Sequence, residues 1–113
     1  MATNNELSKK ILTENYEPQL KPFVEEFFQD RCSDLEVLKS EIKAGNWLEA
    51  KKLAHNWKGY AKPYGFAYLG ELGAEIEKIA SENPSSQKDR DNIEQLVETV
   101  GEYLKLKADQ FNL

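Results

Sequence analysis

The residue with the clearest chemical potential is His55, the only histidine of the chain, in the stretch Leu-Ala-His-Asn-Trp-Lys-Gly-Tyr-Ala-Lys-Pro-Tyr-Gly-Phe over 53–66. Lys58 and Gly59 follow it by three and four residues and Gly65 by ten. At about 100° per helical residue, Lys58 and Gly59 share its face, with Lys51 and Lys52 one turn before and Lys62 two turns after. Ala50, Leu53, Trp57 and Tyr60 fall roughly 140–220° away, with Ala54 and Ala61 at the flank. Burying Trp57 and Leu53 therefore turns His55 towards water, against the usual expectation of a satisfied core histidine. A neutral imidazole near pH 7 has a nucleophilic ring nitrogen. Neighbouring ammonium groups stabilise an anion or a transferring phosphoryl group. A glycine one turn away leaves a bare surface for a second protein. No Ser-His or Cys-His pair is legible, and one histidine with one cysteine makes a poor metal site.

His55-x-x-Lys58-Gly59 with Gly65 beyond it, preceded by Leu53-Ala54 and followed by Phe66, resembles the histidine phosphotransfer (HPt) domain of bacterial phosphorelays. The helical pattern described below extends that resemblance over nearly the whole chain. The resemblance implies an all-α, up-down antiparallel four-helix bundle with a short N-terminal helix, and a phosphoryl group carried on the imidazole between receiver-domain aspartates. It makes His55 the phosphoacceptor, Lys58 the charge partner and Gly59 the clearance residue, and has Gly65 end the helix. Lys51, Lys62 and Glu77 are the candidates for supporting roles around them. Glu77, 22 residues after His55, stands where many members offer an amide, and Trp57 where an aliphatic residue is usual. Pro63 cannot donate to the carbonyl of Gly59, so the helix should loosen or stop near Lys62.

The elements that must position these residues follow from periodicity. At 113 residues, with 40% apolar and 31% charged residues, the chain reads as one helical domain over 1–113, its bundle core at about 18–110. A short helix is expected at about 4–12, with Thr3 and Glu6 at capping-box spacing and Leu7, Ile11 and Leu12 on one face. Pro18 opens a long amphipathic helix to about 43. Its stripe is Leu20, Phe23, Val24, Phe27, Phe28, Leu35, Leu38 and Ile42, with a polar interruption at Arg31–Asp34. Pro22 is tolerable there in the first turn. Asn46 is expected to cap the histidine helix, at about 47–62, with Glu49 three residues on. A turn at Pro63–Gly65 leads to a helix at about 66–82, in which Gly70 and Gly73 imply close packing, with Trp57 as the candidate neighbour. Ser86 and Asp89 cap a last helix at about 87–110, with Ile93, Leu96, Val97, Val100, Leu104 and Phe111 on one face.

Net charge is −5, so nucleic acid is not an expected partner. From Trp47 to Phe66 there are four lysines and one acidic residue; the rest of the chain holds 11 basic and 19 acidic residues. Such a patch steers an acidic partner surface. The expected partners are a response-regulator receiver domain, a hybrid sensor histidine kinase, or both. No cofactor or metal is expected on this chain, with Mg²⁺ on the partner receiver only. The lone Cys32 and the lack of a membrane segment or leader point to the cytoplasm. Two other readings are a non-catalytic helical adaptor of the same fold and a stand-alone enzyme. The second is disfavoured, since no nucleotide-binding motif is present and ATP with Mg²⁺ alone should not label the chain.

Overall fold

The computed structural model describes residues 4–113, with side chains from Glu6 onwards. Thr3, and with it the N-terminal capping box, lies outside the described residues. Among the described residues five α-helices follow one another: α1 (Asn4–Leu12), α2 (Val24–Ala44), α3 (Trp47–Tyr60), α4 (Ala67–Ser81) and α5 (Gln87–Phe111). Helices α2 to α5 form an up-down bundle around one core, and α1 packs across α5. Among the described residues there is no strand, and no helix is long and apolar enough to cross a membrane.

Pro22 changes how the long second helix begins. The chain from Pro18 to Phe23 is a 3-10 helix, and α-helical geometry starts only at Val24. An α-helix would need the missing Pro22 N–H to meet the Pro18 carbonyl. Phe23, expected in the core stripe, is consequently 54% exposed. Leu12 is exposed as well, because it lies one 100° step past Ile11 and off the Leu7–Ile11 face.

The polar interruption of α2 is not an interruption. Arg31 is buried and continues the stripe of Val24, Phe27, Leu35 and Leu38. Its guanidinium stacks over the rings of Phe27 and Tyr60, and its Nε lies 2.8 Å from Asp34 Oδ2. The same oxygen accepts a 3.0 Å hydrogen bond from Trp57 Nε1. A fully buried indole needs such a partner for its one polar atom, so Asp34 fixes Trp57 and thereby the rotation of α3.

Helix α3 starts at Asn46 without a side-chain cap: the Asn46 carbonyl accepts from Ala50 N, but its amide makes no capping hydrogen bond. The helix ends at Tyr60, two residues earlier than its expected bound. Pro63 cannot continue the ladder, and Lys62–Tyr64 form a 3-10 turn. Gly65 (φ 87°) ends this turn rather than the helix itself. A Cβ there would stand 2.8 Å from the Phe111 ring and from Tyr16 N, so glycine is required by space as well as by φ. Ser86 caps α5 as expected, its hydroxyl accepting from Asp89 N at 3.1 Å.

A buried polar cluster ties the N-terminal segment to the bundle. Glu14 Oε1 accepts from Tyr103 OH at 2.7 Å and from Lys107 Nζ at 3.0 Å, and its Oε2 accepts from Tyr68 N at 2.7 Å. Glu14 thus supplies the anion for the first turn of α4, whose own N-cap residue, Phe66, has no capping side chain. Lys107 is fully buried; desolvation lowers its pKa, against the pull of Glu14, and its ammonium lies 3.9 Å from the Phe111 ring centroid. Breaking such a pair leaves an uncompensated buried charge. Glu14→Ala is expected to destabilise the protein by about 3–5 kcal/mol in urea unfolding, and adding Lys107→Met to it should recover most of that loss. Unchanged stability in the single variant would contradict the structural role of the cluster.

Candidate functional site

The site is built where α3 and α4 meet. Ala50, Ala54 and Trp57 along one side of α3, and Ala61 just past its end, are fully or almost fully buried. Leu53 and Tyr60 are only half-buried, whereas the two alanines expected at the flank are in the core. Small residues face α4, and large ones would hold it away. Gly73 shows how close the helices are: a Cβ there would lie 2.6 Å from the Ala54 carbonyl oxygen and 3.1 Å from Trp57 Cβ. Gly70 sits over Trp57 and Lys58 at ordinary contact distance, 3.6 Å. Both glycines pack against the Trp57 segment, as their cost to helix propensity predicted.

This approach brings His55, Lys58 and Glu77 together. The His55 side chain is 62% exposed, and its Nδ1 lies 2.7 Å from Glu77 Oε2. Lys58 Nζ donates to the other oxygen, Glu77 Oε1, at 3.3 Å. One carboxylate therefore spans imidazole and ammonium. The Glu77 side chain is only 17% exposed. Desolvation pushes its pKa up, but hydrogen bonds and charge from His55 and Lys58 outweigh this and hold it below the ordinary carboxylate value. An ionised carboxylate only accepts hydrogen bonds, so Nδ1 must be the donor. In the neutral ring the proton then sits on Nδ1, and Nε2 carries the free lone pair.

Gly59 lies one turn from His55 with open space over it: an added Cβ would meet nothing within 4 Å. Packing within the bundle does not explain this glycine. Lys51 and Lys62 are not drawn into the group; among the described residues neither forms an ion pair with Glu77. Lys51 is half-buried, and Lys62 lines a separate cleft with Lys10, Thr13, Glu17 and Glu71. Lys52 pairs with Glu49 at 3.6 Å. The expected stripe of four free ammonium groups is therefore partly neutralised, and Lys58 is the one held beside the ring.

Sequence reasoning did not single out Asp34 as a residue that shapes this site, and it read Gly73 only as a sign of close helix packing. Asp34 was read as part of a polar break, and its signal was its position near a tryptophan that needs a partner. Cys32 is half-buried on α2, where burial and then Glu36 raise its thiol pKa, so it stays a thiol near neutral pH. Among the described residues no cluster of three or more His, Cys, Asp or Glu side chains is placed to hold a metal.

The family model of the Hpt domain matches residues 22–106 of the chain. No curated protein and no solved structure matches it.

The pH dependence of the Glu77 contacts has a definite sign. Because the folded pKa of Glu77 is depressed, the contribution of these contacts is present above the unfolded carboxylate pKa and is lost as pH falls through the folded value. Glu77→Gln should cost about 0.5–1 kcal/mol near neutral pH. The gap to wild type should be present near neutral pH and close as pH falls through the depressed folded value of Glu77. Denaturant melts from neutral to acid pH check this; a gap that stays constant down to the acid end would contradict it.

Proposed function

The chain belongs to the Hpt domain family, the histidine phosphotransfer modules of two-component phosphorelays, and on that premise we propose that His55 is the phosphoacceptor of a phosphorelay intermediate. It takes the phosphoryl group from a receiver-domain aspartyl phosphate, or from a sensor kinase, and passes it to a response regulator. The observation that carries this reading is an exposed imidazole whose Nδ1 is held by Glu77, beside Lys58 and a bare Gly59. A single domain over 1–113 working in the reducing cytoplasm fits the lone Cys32.

The chemistry follows from the tautomer. The Nε2 lone pair attacks phosphorus; the Nε2–P bond forms as the bond from phosphorus to the aspartyl oxygen breaks, and the donor carboxylate leaves with that electron pair. The ring keeps its Nδ1 proton and becomes cationic. Glu77 Oε2 meets that developing charge from 2.7 Å. In the reverse direction the cationic ring is the better leaving group, so the same carboxylate serves donation. Lys58 offsets the repulsion between Glu77 and the phosphoryl oxygens, which stand on the far side of the ring. Glu77 therefore suits this position in place of a neutral amide.

Incubation with a phosphorylated receiver domain tests the reading. We expect an acid-labile, alkali-stable label on wild-type protein and none on His55→Gln, with the helical circular dichroism of the two unchanged. Wild-type label on His55→Gln would overturn the assignment, and no acceptance from any of a panel of phosphorylated receivers would favour an adaptor of the same fold. Lys58→Ala should slow transfer in rapid-quench measurements by roughly 10–100-fold while leaving stability within about 0.5 kcal/mol. Gly59→Gln should keep or slightly raise the melting temperature, since helix propensity improves, yet transfer should fall sharply because the side chain stands between the two surfaces. A lowered melting temperature with activity falling only in step with the folded fraction would show that Gly59 serves the fold instead.

A further inference from the structure

Nothing in the chemistry of an imidazole and a carboxylate brings them to 2.7 Å across two helices; the backbones must first approach. Gly73 and Glu77 are one turn apart on the same face of α4, and Ala54 directly precedes His55 on α3. The tightest backbone approach between the two helices at a glycine is Gly73 against the Ala54 carbonyl, where a Cβ would stand at 2.6 Å. We propose that Gly73 is a positioning residue for phosphotransfer: the absence of its side chain sets the separation of α3 and α4 that lets Glu77 reach His55 Nδ1. This rests on the reading of His55 as the acceptor, but its physical content is independent of any partner.

The magnitudes support the claim. A Cβ at Gly73 faces backbone oxygen, which cannot rotate away as a flexible side chain would. Relieving the overlap requires the helices to part by roughly 0.5–1 Å. A 2.7 Å hydrogen bond lengthened by that amount approaches the limit at which it ceases to be one. The Lys58–Glu77 contact, at 3.3 Å, has still less reserve. Gly70, one turn earlier, provides the control, because a Cβ there meets its nearest neighbour at 3.6 Å and forces nothing apart.

Because His55 is the only histidine, the ring nitrogens of uniformly ¹⁵N-labelled protein give a single long-range ¹H–¹⁵N pattern. At mildly alkaline pH the wild-type ring should show a protonated Nδ1 and a bare Nε2. In Gly73→Ala it should shift towards the Nε2-protonated tautomer usual for an unpartnered histidine, while Gly70→Ala keeps the wild-type pattern. Per folded molecule, transfer from a phosphorylated receiver should fall roughly 10–100-fold in Gly73→Ala and remain at the wild-type level in Gly70→Ala. Simple destabilisation would not move the tautomer of the folded fraction, so a wild-type ring pattern in Gly73→Ala overturns the proposal. If that variant folds too poorly to be read, Glu77→Asp withdraws the carboxylate by one methylene without touching the helix contact. It should give the same tautomer change, and a wild-type pattern there likewise overturns the proposal. An unlabelled wild-type protein would instead count against the phosphoacceptor reading, and the ring spectra would still decide the role of Gly73.

Discussion

The structure depends on the close approach of α3 and α4. Ala54 and Gly73 let the two backbones meet, and Trp57 is buried on the inner side with no exposed surface. A helix has one azimuth, so fixing Trp57 inward determines where every other residue of α3 points. Asp34, accepting from Trp57 Nε1 at 3.0 Å, locks that azimuth from α2. The outward placement of His55, the clearance at Gly59 and the reach of Glu77 all follow from this one packing decision.

The site also illustrates how charge is apportioned near the proposed phosphoryl acceptor. A carboxylate beside the nucleophile looks unfavourable if only the phosphoryl oxygens are considered. On the proposed role of His55 it is favourable for the ring, which would gain positive charge as Nε2 forms its bond to phosphorus. The two effects act at opposite ends of the imidazole, and Lys58 is shared between them through Glu77 Oε1. Holding Glu77 ionised makes the tautomer of His55 a consequence of geometry instead of an equilibrium between two nitrogens.

Much of this was legible from residue spacing. The 3.6-residue period set Trp57 inside and His55 outside, and the helix-disfavouring Gly70 and Gly73 pointed to close packing against Trp57. The family resemblance supplied Glu77, which no local pattern would have chosen from among 20 acidic residues. The failures share a physical origin: polar residues at interior positions. Arg31 lies in register with Phe27 and Leu35, and Lys107 in register with Tyr103 and Phe111, so both occupied apolar stripes in plain view. A hydrophobicity pattern reads them as breaks, because their burial depends on the polar partners Asp34 and Glu14, which an apolar period does not register. The 3-10 opening at Pro18–Phe23 was missed for another reason: the lost donor of Pro22 acts on the carbonyl four residues earlier and unwinds a whole turn.

The most direct measurement of the central claim is the regiochemistry of the phosphorylated ring. One-bond ¹⁵N–³¹P and two-bond ¹H–¹⁵N correlations on receiver-phosphorylated, ¹⁵N-labelled protein assign phosphorus to one nitrogen of His55. If Glu77 holds Nδ1 as a donor, phosphorus is on Nε2 and Nδ1 retains its proton. Phosphorus on Nδ1 would contradict the account, since that nitrogen would then have to leave Glu77 before any transfer could begin.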